Sequence, residues 1–417
     1  MLWASLCIVA AALVGHVALW TVVFNRLHAT GLARGTIDVL EKVIALVVVA
    51  VPVAVVWQRA MAATAMLPWP PASLGDAMVL AYIGVCVIAV VRVSVAWFAR
   101  RAASQGPTPL LANHTRTVDL AKGMTEPPVT GFKARVLSRV PGNQILQLDL
   151  NDKELVVPGL PAGLDGLSIA HISDLHFTGG IARSVFDAVI DRACEMDADL
   201  VALTGDVVDH THCIEWIVPT LSRLHGRHGS FFVLGNHDKR VRDVAEVRRS
   251  LREAGYTDLG GRWHSIEVRG YRIVLAGNEL PWFGPPPART ADPDAAETSP
   301  RSADDSREAV DSDDARSAFR ILLSHSPDQI DWAREHRFDL MLAGHTHGGQ
   351  IRFPLVGAVV CPSRWGVKYA SGVYHEPPTV LHVTRGISGL HPIRLNCRPE
   401  LTRLILRVGR AARVAGR

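Results

Sequence analysis

The chain has 417 residues, 48% of them hydrophobic, a formal net charge of +4 and a pI near 8.8. That length is too great for one compact core, and the mild basic balance, with acids interspersed and no interleaved aromatics, excludes a nucleic-acid-binding stripe. The six cysteines, at 7, 86, 194, 213, 361 and 397, include no close pair, which excludes a structural zinc knot or a CxxC redox motif; they read as thiols of a reducing compartment.

The apolar excess is concentrated before residue 100. Residues 2 to 24 form a continuous apolar stretch, about the ~20 residues a spanning helix needs. It lacks a basic leading segment and further apolar stretches follow, so it is expected to stay as an anchor rather than be cleaved as a signal peptide. Further spans are expected near 43–62, where Pro52 and Arg59 interrupt the pattern, and near 77–98, closed by Arg100 and Arg101. Arg26, Arg34 and Lys42 lie after the first span. By the positive-inside tendency the N-terminus then faces out, and everything beyond residue 101 lies in the cytoplasm.

Residues 102–140 read as a linker, rich in Pro, Gly, Thr and Ala. Gln144 to Leu150 alternates in polarity, and Leu155-Val156-Val157 follows an Asn-Asp pair, which predicts a hairpin at the edge of a domain over 141–408. Helical spacing then returns three times: Val185, Val189 and Ile190; Ile214, Ile217, Leu221 and Leu224; and Val241, Val244, Val247 and Leu251, stopped at Gly255. Alternating strands and helices predict an α/β domain. Residues 285–318 break the rhythm, with Asp and Glu outnumbering Arg and almost no large apolar residue, and read as a solvated, disordered insertion. A basic tail occupies 409–417.

Five apolar runs in the second half each end in a residue that binds metal well. Asp174 and His176 follow the run 167–173, Asp206 follows 200–205, Asn236, His237 and Asp238 follow 231–235, His325 follows 321–324, and His345 and His347 follow 340–344. Buried parallel strands read as continuous apolar runs, and open α/β sheets bind ligands past the carboxyl ends of their strands. The repetition places one Asp/Asn/His cluster along one sheet edge. Asp-x-His is expected to aim both side chains one way, since alternate residues of a strand share a face. Carboxylate with imidazole suits Mn²⁺ first, with Fe or Zn²⁺ also fitting. His171, inside a run, reads as a core histidine, His210 and His212 as exposed, and Asp238 as a turn cap. Arg352, Arg364 and Arg385 read as salt-bridging residues, and the arginines from 403 to 417 as part of a frayed tail.

The five blocks, D-x-H, G-D-x-x-D, G-N-H-D, a lone His and G-H-x-H, resemble those of the calcineurin-like metallophosphoesterases over residues 165 to 405. The wording Ile172-Ser-Asp-Leu-His176 and Gly344-His-Thr-His-Gly-Gly-Gln350 is similar to a bacterial membrane-anchored branch, some of whose members hydrolyse the pyrophosphate of UDP-2,3-diacylglucosamine. The acidic insertion and Asn278-Glu-Leu-Pro-Trp-Phe283 depart from that branch's pattern. The resemblance implies a four-layer α/β/β/α sandwich behind about three transmembrane helices. It implies two divalent metal ions, one held by Asp174, His176, Asp206 and His347, the other by Asp206, Asn236, His325 and His345, with Asp206 bridging. It implies hydrolysis of a phosphodiester or pyrophosphate bond by a metal-bridging hydroxide, with His237 over the substrate and oriented by Asp209. The expected partners are the membrane and a phosphorylated small-molecule or lipid-linked substrate. The alternatives are a general phosphodiesterase or phosphatase on a soluble substrate, and a non-catalytic membrane receptor for a phosphorylated ligand.

Overall fold

The computed structural model describes residues 2–61, 70–103, 108–293 and 318–409, which fall into two compact units. One comprises residues 1–107 with 362–368, the other 108–361 with 369–417. Most of the acidic insertion (294–317) and the tail from Arg410 lie outside the described residues.

In the first unit, α1 (Leu2–His28), α2 (Arg34–Met61) and α3 (Leu74–Ala103) each carry a segment long and apolar enough to cross a membrane: Cys7–His28, Arg34–Gln58 and Leu74–Ala99. The second segment starts well before residue 43 because its polar first turns are paired. Arg34 bridges Asp38 at 2.7 Å and Glu41 at 3.5 Å, and His28 meets Glu41 at 2.7 Å. Pro52 is accommodated inside α2. A Cβ on Gly15 would come within 1.9 Å of the Cys86 carbonyl oxygen, so the glycine allows α1 and α3 to meet backbone to backbone. His16 ties the three helices together, through the Tyr82 hydroxyl at 2.7 Å and the Val48 carbonyl at 3.1 Å.

The second unit is built on two sheets. The strands run in chain order as β1 (Leu110–Asp119), β2 (Gln147–Val157), β3 (Ser168–Ile172), β4 (Leu200–Thr204), β5 (Ser230–Val233), β6 (Thr257–Asp258), β7 (Trp263–Val268), β8 (Tyr271–Asn278), β9 (Phe319–Ser324), β10 (Leu340–Ala343), β11 (Arg352–Phe353), β12 (Gly357–Ala358), β13 (Gly372–Glu376), β14 (Thr379–Val383) and β15 (Glu400–Val408). Seven form one sheet in the order β1-β2-β15-β3-β4-β5-β6 and six the other, β13-β14-β10-β9-β8-β7, while β11 and β12 make a separate hairpin. The helices are α4 (Phe132–Ser138), α5 (Arg183–Cys194), α6 (Ile217–Leu221), α7 (Val244–Glu253) and α8 (Ile330–Glu335).

Strand parity produces four layers. Ile169, Leu200, Ala202, Phe231 and Val233 on the first sheet meet Leu275, Ile321, Leu323, Leu340 and Leu342 on the second in one buried core. The alternate residues Ala170, Ile172, Val201, Leu203 and Phe232 face outward onto Val189 and Ile190 of α5, Leu221 of α6 and Leu251 of α7. On the second sheet, Leu322, Met341, Ala343 and Leu381 pack on Ile330 and Ala333 of α8. Each central strand is apolar on both faces because each face is covered. The α/β/β/α sandwich expected from the sequence is the fold.

Local expectations differ from the structure in four places. Residues 110–119, within the expected linker, form strand β1, paired antiparallel with β2. Most of its side chains are exposed, so it carries no apolar period to betray it. The expected turn at Asn151-Asp152 is mid-strand in β2, because both side chains find partners there. Asn151 donates to Glu400 at 2.9 Å and accepts from Thr115 at 2.7 Å, while Asp152 takes Arg403 at 2.8 and 2.9 Å. The helix expected around Ile214 is a 3₁₀ segment, Thr211–Trp216, followed by the short α6. Arg403, and Arg407 with Glu154 at 2.9 Å, thus belong to the ordered strand β15 and not to a frayed tail.

Candidate metal and phosphoester site

Strands β3, β4 and β5 run parallel in one sheet, and β8, β9, β10 and β14 in the other, so several carboxyl ends gather at one end of the sandwich. The residues expected as metal ligands sit just past those ends. Asp174, His176, Asp206, His325 and His345 are almost wholly buried. Asp174 and His176 do not share a face of an extended strand, as i and i+2 residues would. Both lie beyond β3 in the left-handed region, at φ 55° and 49°. Asp206 (54°), His345 (70°) and His347 (50°) adopt it too. Each such non-glycine residue carries strain of about 1–3 kcal/mol, which the surrounding structure must over-determine. Convergence here is made by loops, not by strand pleat.

Two glycines show how closely the loops are packed. A Cβ at Gly235 would lie 2.2 Å from Asp206 Oδ1, and one at Gly344 would lie 2.0 Å from Ser173 Oγ and 2.4 Å from Asp174 Oδ2. Any larger residue would displace a site carboxylate.

Three clusters result, each with its ligand-type atoms within 4.8 Å of one another: Asp174, His176, Asp206 and His347; Asp206, His325 and His345; and His176, Asp209 and His237. The third is explained by hydrogen bonds alone. Asp209 accepts from His176 Nδ1 through Oδ2 at 2.7 Å, and from His237 Nδ1 through Oδ1 at 2.5 Å, with Arg240 also donating to Oδ1 at 3.2 Å. Asp209 therefore orients two imidazoles, not His237 alone.

The other two clusters are chemically incomplete. His176 Nδ1 is committed to Asp209, and His347 Nδ1 donates to the Ser388 carbonyl at 3.1 Å, yet the two Nε2 atoms face each other at 3.3 Å. His325 Nδ1 donates to the Thr204 carbonyl at 2.7 Å, which turns its Nε2 toward Asp206 Oδ2 at 3.1 Å and His345 Nδ1 at 3.2 Å. Asn236 Oδ1 and His345 Nε2 are buried with no hydrogen-bond partner, and Asp206 Oδ2 has only the His325 ring close beside it. Buried acceptors without donors are costly, and facing lone pairs repel, so the donor set fits divalent cations. Without a cation, protons take that role. Burial alone would lower the His176 pKa, but Asp209 and Asp174 outweigh it and raise it to about 10. His325 is likewise raised to about 9, with Asp206 overcoming burial. Asp206 stays well below the usual carboxylate range, its burial outweighed by His325 and His237.

His237 stands slightly apart. Its backbone N–H donates to Asp206 Oδ1 at 2.7 Å, and its ring lies edge-on to His176 at 4.5 Å. Burial lowers its pKa despite Asp206 and Asp209.

Among the remaining residues singled out in the sequence, His171 is a core histidine, bonded to His382 at 2.8 Å and Thr204 at 2.9 Å. His210 and His212 are exposed. Arg385 bridges Asp149 at 3.1 Å and Glu400 at 3.0 Å. Asp238 does more than cap a turn. Its carboxylate accepts from the backbone N–H groups of Asp206, Val207, Val208 and Gly235, at 2.8–3.0 Å, and so locks the loop after β4 to the loop after β5.

Sequence reasoning missed two contributors. Trp282 lies with its ring 4.8 Å from that of His345 and 5.5 Å from that of His325. Arg394, fully buried, donates to the carbonyl of His347 at 2.8 Å and to that of Ser388. No local motif marks either residue; the unusual wording around Asn278–Phe283 was the one available signal for Trp282.

Residues 167–349 match the family model for calcineurin-like phosphoesterases. Phosphodiesterase YaeI of Escherichia coli K12 is 31% identical over 245 residues, covering 57% of this chain and 81% of its own. The uncharacterized metallophosphoesterase YkuE of Bacillus subtilis 168 is 28% identical over 248 residues, covering 58% and 80%. A transmembrane protein with metallophosphoesterase domain from Danio rerio is 28% identical over 270 residues, covering 61% and 56%. The chain belongs to the calcineurin-like phosphoesterase family, whose members are phosphoester hydrolases that generally use two divalent metals.

The four donors on Asp238 make it a stability determinant. Asp238→Ala strands up to four buried N–H groups, at about 1–3 kcal/mol each, and is expected to lower the unfolding temperature sharply. Asp238→Asn keeps an acceptor oxygen and should lose distinctly less. Thermal unfolding of the two variants side by side measures the difference.

Proposed function

We propose that this family member is a membrane-anchored hydrolase of phosphodiester or pyrophosphate bonds, acting through two divalent cations, Mn²⁺ first among them. The observation that carries the reading is the pair of buried, donor-poor clusters sharing Asp206, placed beside a carboxylate-held imidazole. Asp174, His176, Asp206 and His347 would hold one cation, and Asp206, Asn236, His325 and His345 the other. Bound there, the cations would supply charge neutralisation for the phosphoryl oxygens and a water acidic enough to act as nucleophile at neutral pH.

The chain's own residues prepare the rest. Asp209 fixes His176 and His237 through Nδ1, so each presents Nε2 to the site. In the free chain burial favours neutral His237. An arriving phosphoryl anion favours the imidazolium, which Asp209 stabilises and which can donate from Nε2 to the leaving oxygen. Trp282 and the packed glycine loops exclude water from the side of His325 and His345. Three membrane-type helices on the same chain favour a lipid-linked or membrane-proximal substrate, with UDP-2,3-diacylglucosamine the most specific candidate and a soluble diester the alternative. The receptor reading is disfavoured, because every residue the hydrolytic roles require is present.

Three measurements test this reading. Asp206→Asn is expected to empty both cation positions and Asp174→Asn mainly one, read by elemental analysis; full occupancy with intact turnover in Asp206→Asn would remove the bridge.

His237→Ala should keep both metals and lose about 10²–10⁴-fold in kcat with little change in KM, with a smaller loss on substrates having good leaving groups. Loss of metal in this variant, or wild-type rates on poor leaving groups, would overturn the role. Asp209→Ala should also weaken metal retention, since His176 shares the carboxylate.

The charge bias of Arg26, Arg34, Lys42 and Arg100-Arg101 is expected to place the catalytic unit in the cytoplasm. A cysteine introduced into the acidic insertion should resist an impermeant thiol reagent in intact cells; ready labelling reverses the topology.

A further inference from the structure

Immediately after the Gly344–Gln350 loop the chain forms the β11–β12 hairpin, whose tip is apolar and uncovered. Leu355 is 91% exposed and held in the left-handed region at φ 67°, with Phe353, Val356 and Val360 each about half exposed or more. A leucine at a strained turn with almost no contact contributes nothing to the fold and exposes apolar surface to water. A second uncovered apolar pair lies on α4, where Phe132 is 81% exposed and Val136, one turn later, is also exposed. Lys133, Arg135 and Arg139 flank it and are exposed too.

The two features adjoin through a short chain of hydrogen bonds. Asn143 Nδ2 donates both to the Leu137 carbonyl in α4 and to that of Pro392, at 2.9 Å each. Leu395 then donates to the Gln350 carbonyl at 3.1 Å and accepts from the Arg352 N–H at 2.9 Å, which sets the base of the hairpin. Arg394, between them, donates to His347. The apolar tip, the amphipathic α4 and the Asp/His site thus share one edge of the unit.

The same chain says what would cover this edge. It carries three helices able to span a membrane, and residues 362–368, which follow Cys361 directly, belong to the helical unit. That segment has Trp365 with the Arg364 and Lys368 cations over its ring, at 5.3 and 5.2 Å, the aromatic-and-basic composition favoured at a membrane–water interface. Apolar side chains ringed by Lys and Arg bind bilayer surfaces by burying the former among acyl chains and pairing the latter with anionic headgroups.

We propose that the β11–β12 tip and the Phe132–Val136 edge of α4 form a membrane-docking surface, seated in the headgroup region of a bilayer containing anionic lipid, so that the site opens toward the interface. Docking of this kind does not depend on the hydrolase reading.

The test uses the full chain in vesicles of phosphatidylcholine with phosphatidylglycerol, with exposed Cys7 and Cys194 changed to Ser. A bimane label is placed on Leu355→Cys, on Phe132→Cys or, as control, on Glu253→Cys at the exposed end of α7. Lipids spin-labelled near the headgroup should quench the probes at 355 and 132 several-fold more than the probe at 253, and less so when phosphatidylglycerol is omitted. Leu355→Asp should reduce quenching of the probe at 132, and, being fully exposed, should leave hydrolysis of a soluble chromogenic diester unchanged. Quenching at 355 no greater than at 253 overturns the proposal. Shielding that rises with protein-to-lipid ratio and not with lipid identifies a second copy of the chain as the occupant, and overturns it too. Absence of diesterase activity with quenching intact would instead count against the hydrolase reading alone.

Discussion

The carboxylate of Asp206 lies almost wholly out of solvent where the carboxyl ends of the two sheets meet, and a buried charge persists only if its surroundings compensate it. Much of the local architecture follows from that demand. His325 faces it from one side and His176 from the other, the His237 N–H donates to it from the next loop, and Asp238 holds its backbone in place. Asp174 and Asp209 add two further buried carboxylates, so the pocket gathers negative charge that its histidines and two divalent cations can balance.

Holding these groups together places its cost in the backbone. Five site residues other than glycine adopt left-handed conformations, and glycines fill the places where a Cβ would strike a carboxylate. The strain is sustained by anchors that never touch the reacting atoms. Asp238 gathers four N–H groups, Arg394 holds the His347 and Ser388 carbonyls, and the Ser388 N–H donates to the Asp174 carbonyl at 2.8 Å. Below these lies a buried polar network in which Glu400 meets Lys153 at 3.3 Å and Arg385 at 3.0 Å, with His382 and His171 continuing it toward β4. Its effect is to fix the loop 384–388 against the site.

The membrane part obeys a different solvent. Its helices turn Leu46, Val49, Val56 and other apolar residues outward, while His16 and Trp20 both bond the Tyr82 hydroxyl between helices. Polar groups there are satisfied within the bundle because lipid offers none.

The sequence by itself determined the family, the sandwich, the three apolar spans and the identity of the clustered Asp, Asn and His residues. Each of these rests on a local signal: for the spans a long apolar run, and for the site a short apolar run that ends in glycine or serine with a metal-binding residue directly after it. Chain order then brings such runs to one sheet edge, because parallel strands end on the same side. What only the tertiary structure decided depends on partners far away in the chain. Asn151 and Asp152 read as a turn until Glu400, Thr115 and Arg403 are placed beside them. The strand β1 is invisible locally because its neighbour, and not its own pattern, holds it. Asp209 serves two imidazoles, and Trp282 and Arg394 join the site across stretches of sequence that carry no motif. The uncovered tip at Leu355 likewise becomes meaningful only when burial is known, since an apolar residue near a loop end reads the same whether it faces a core or a membrane.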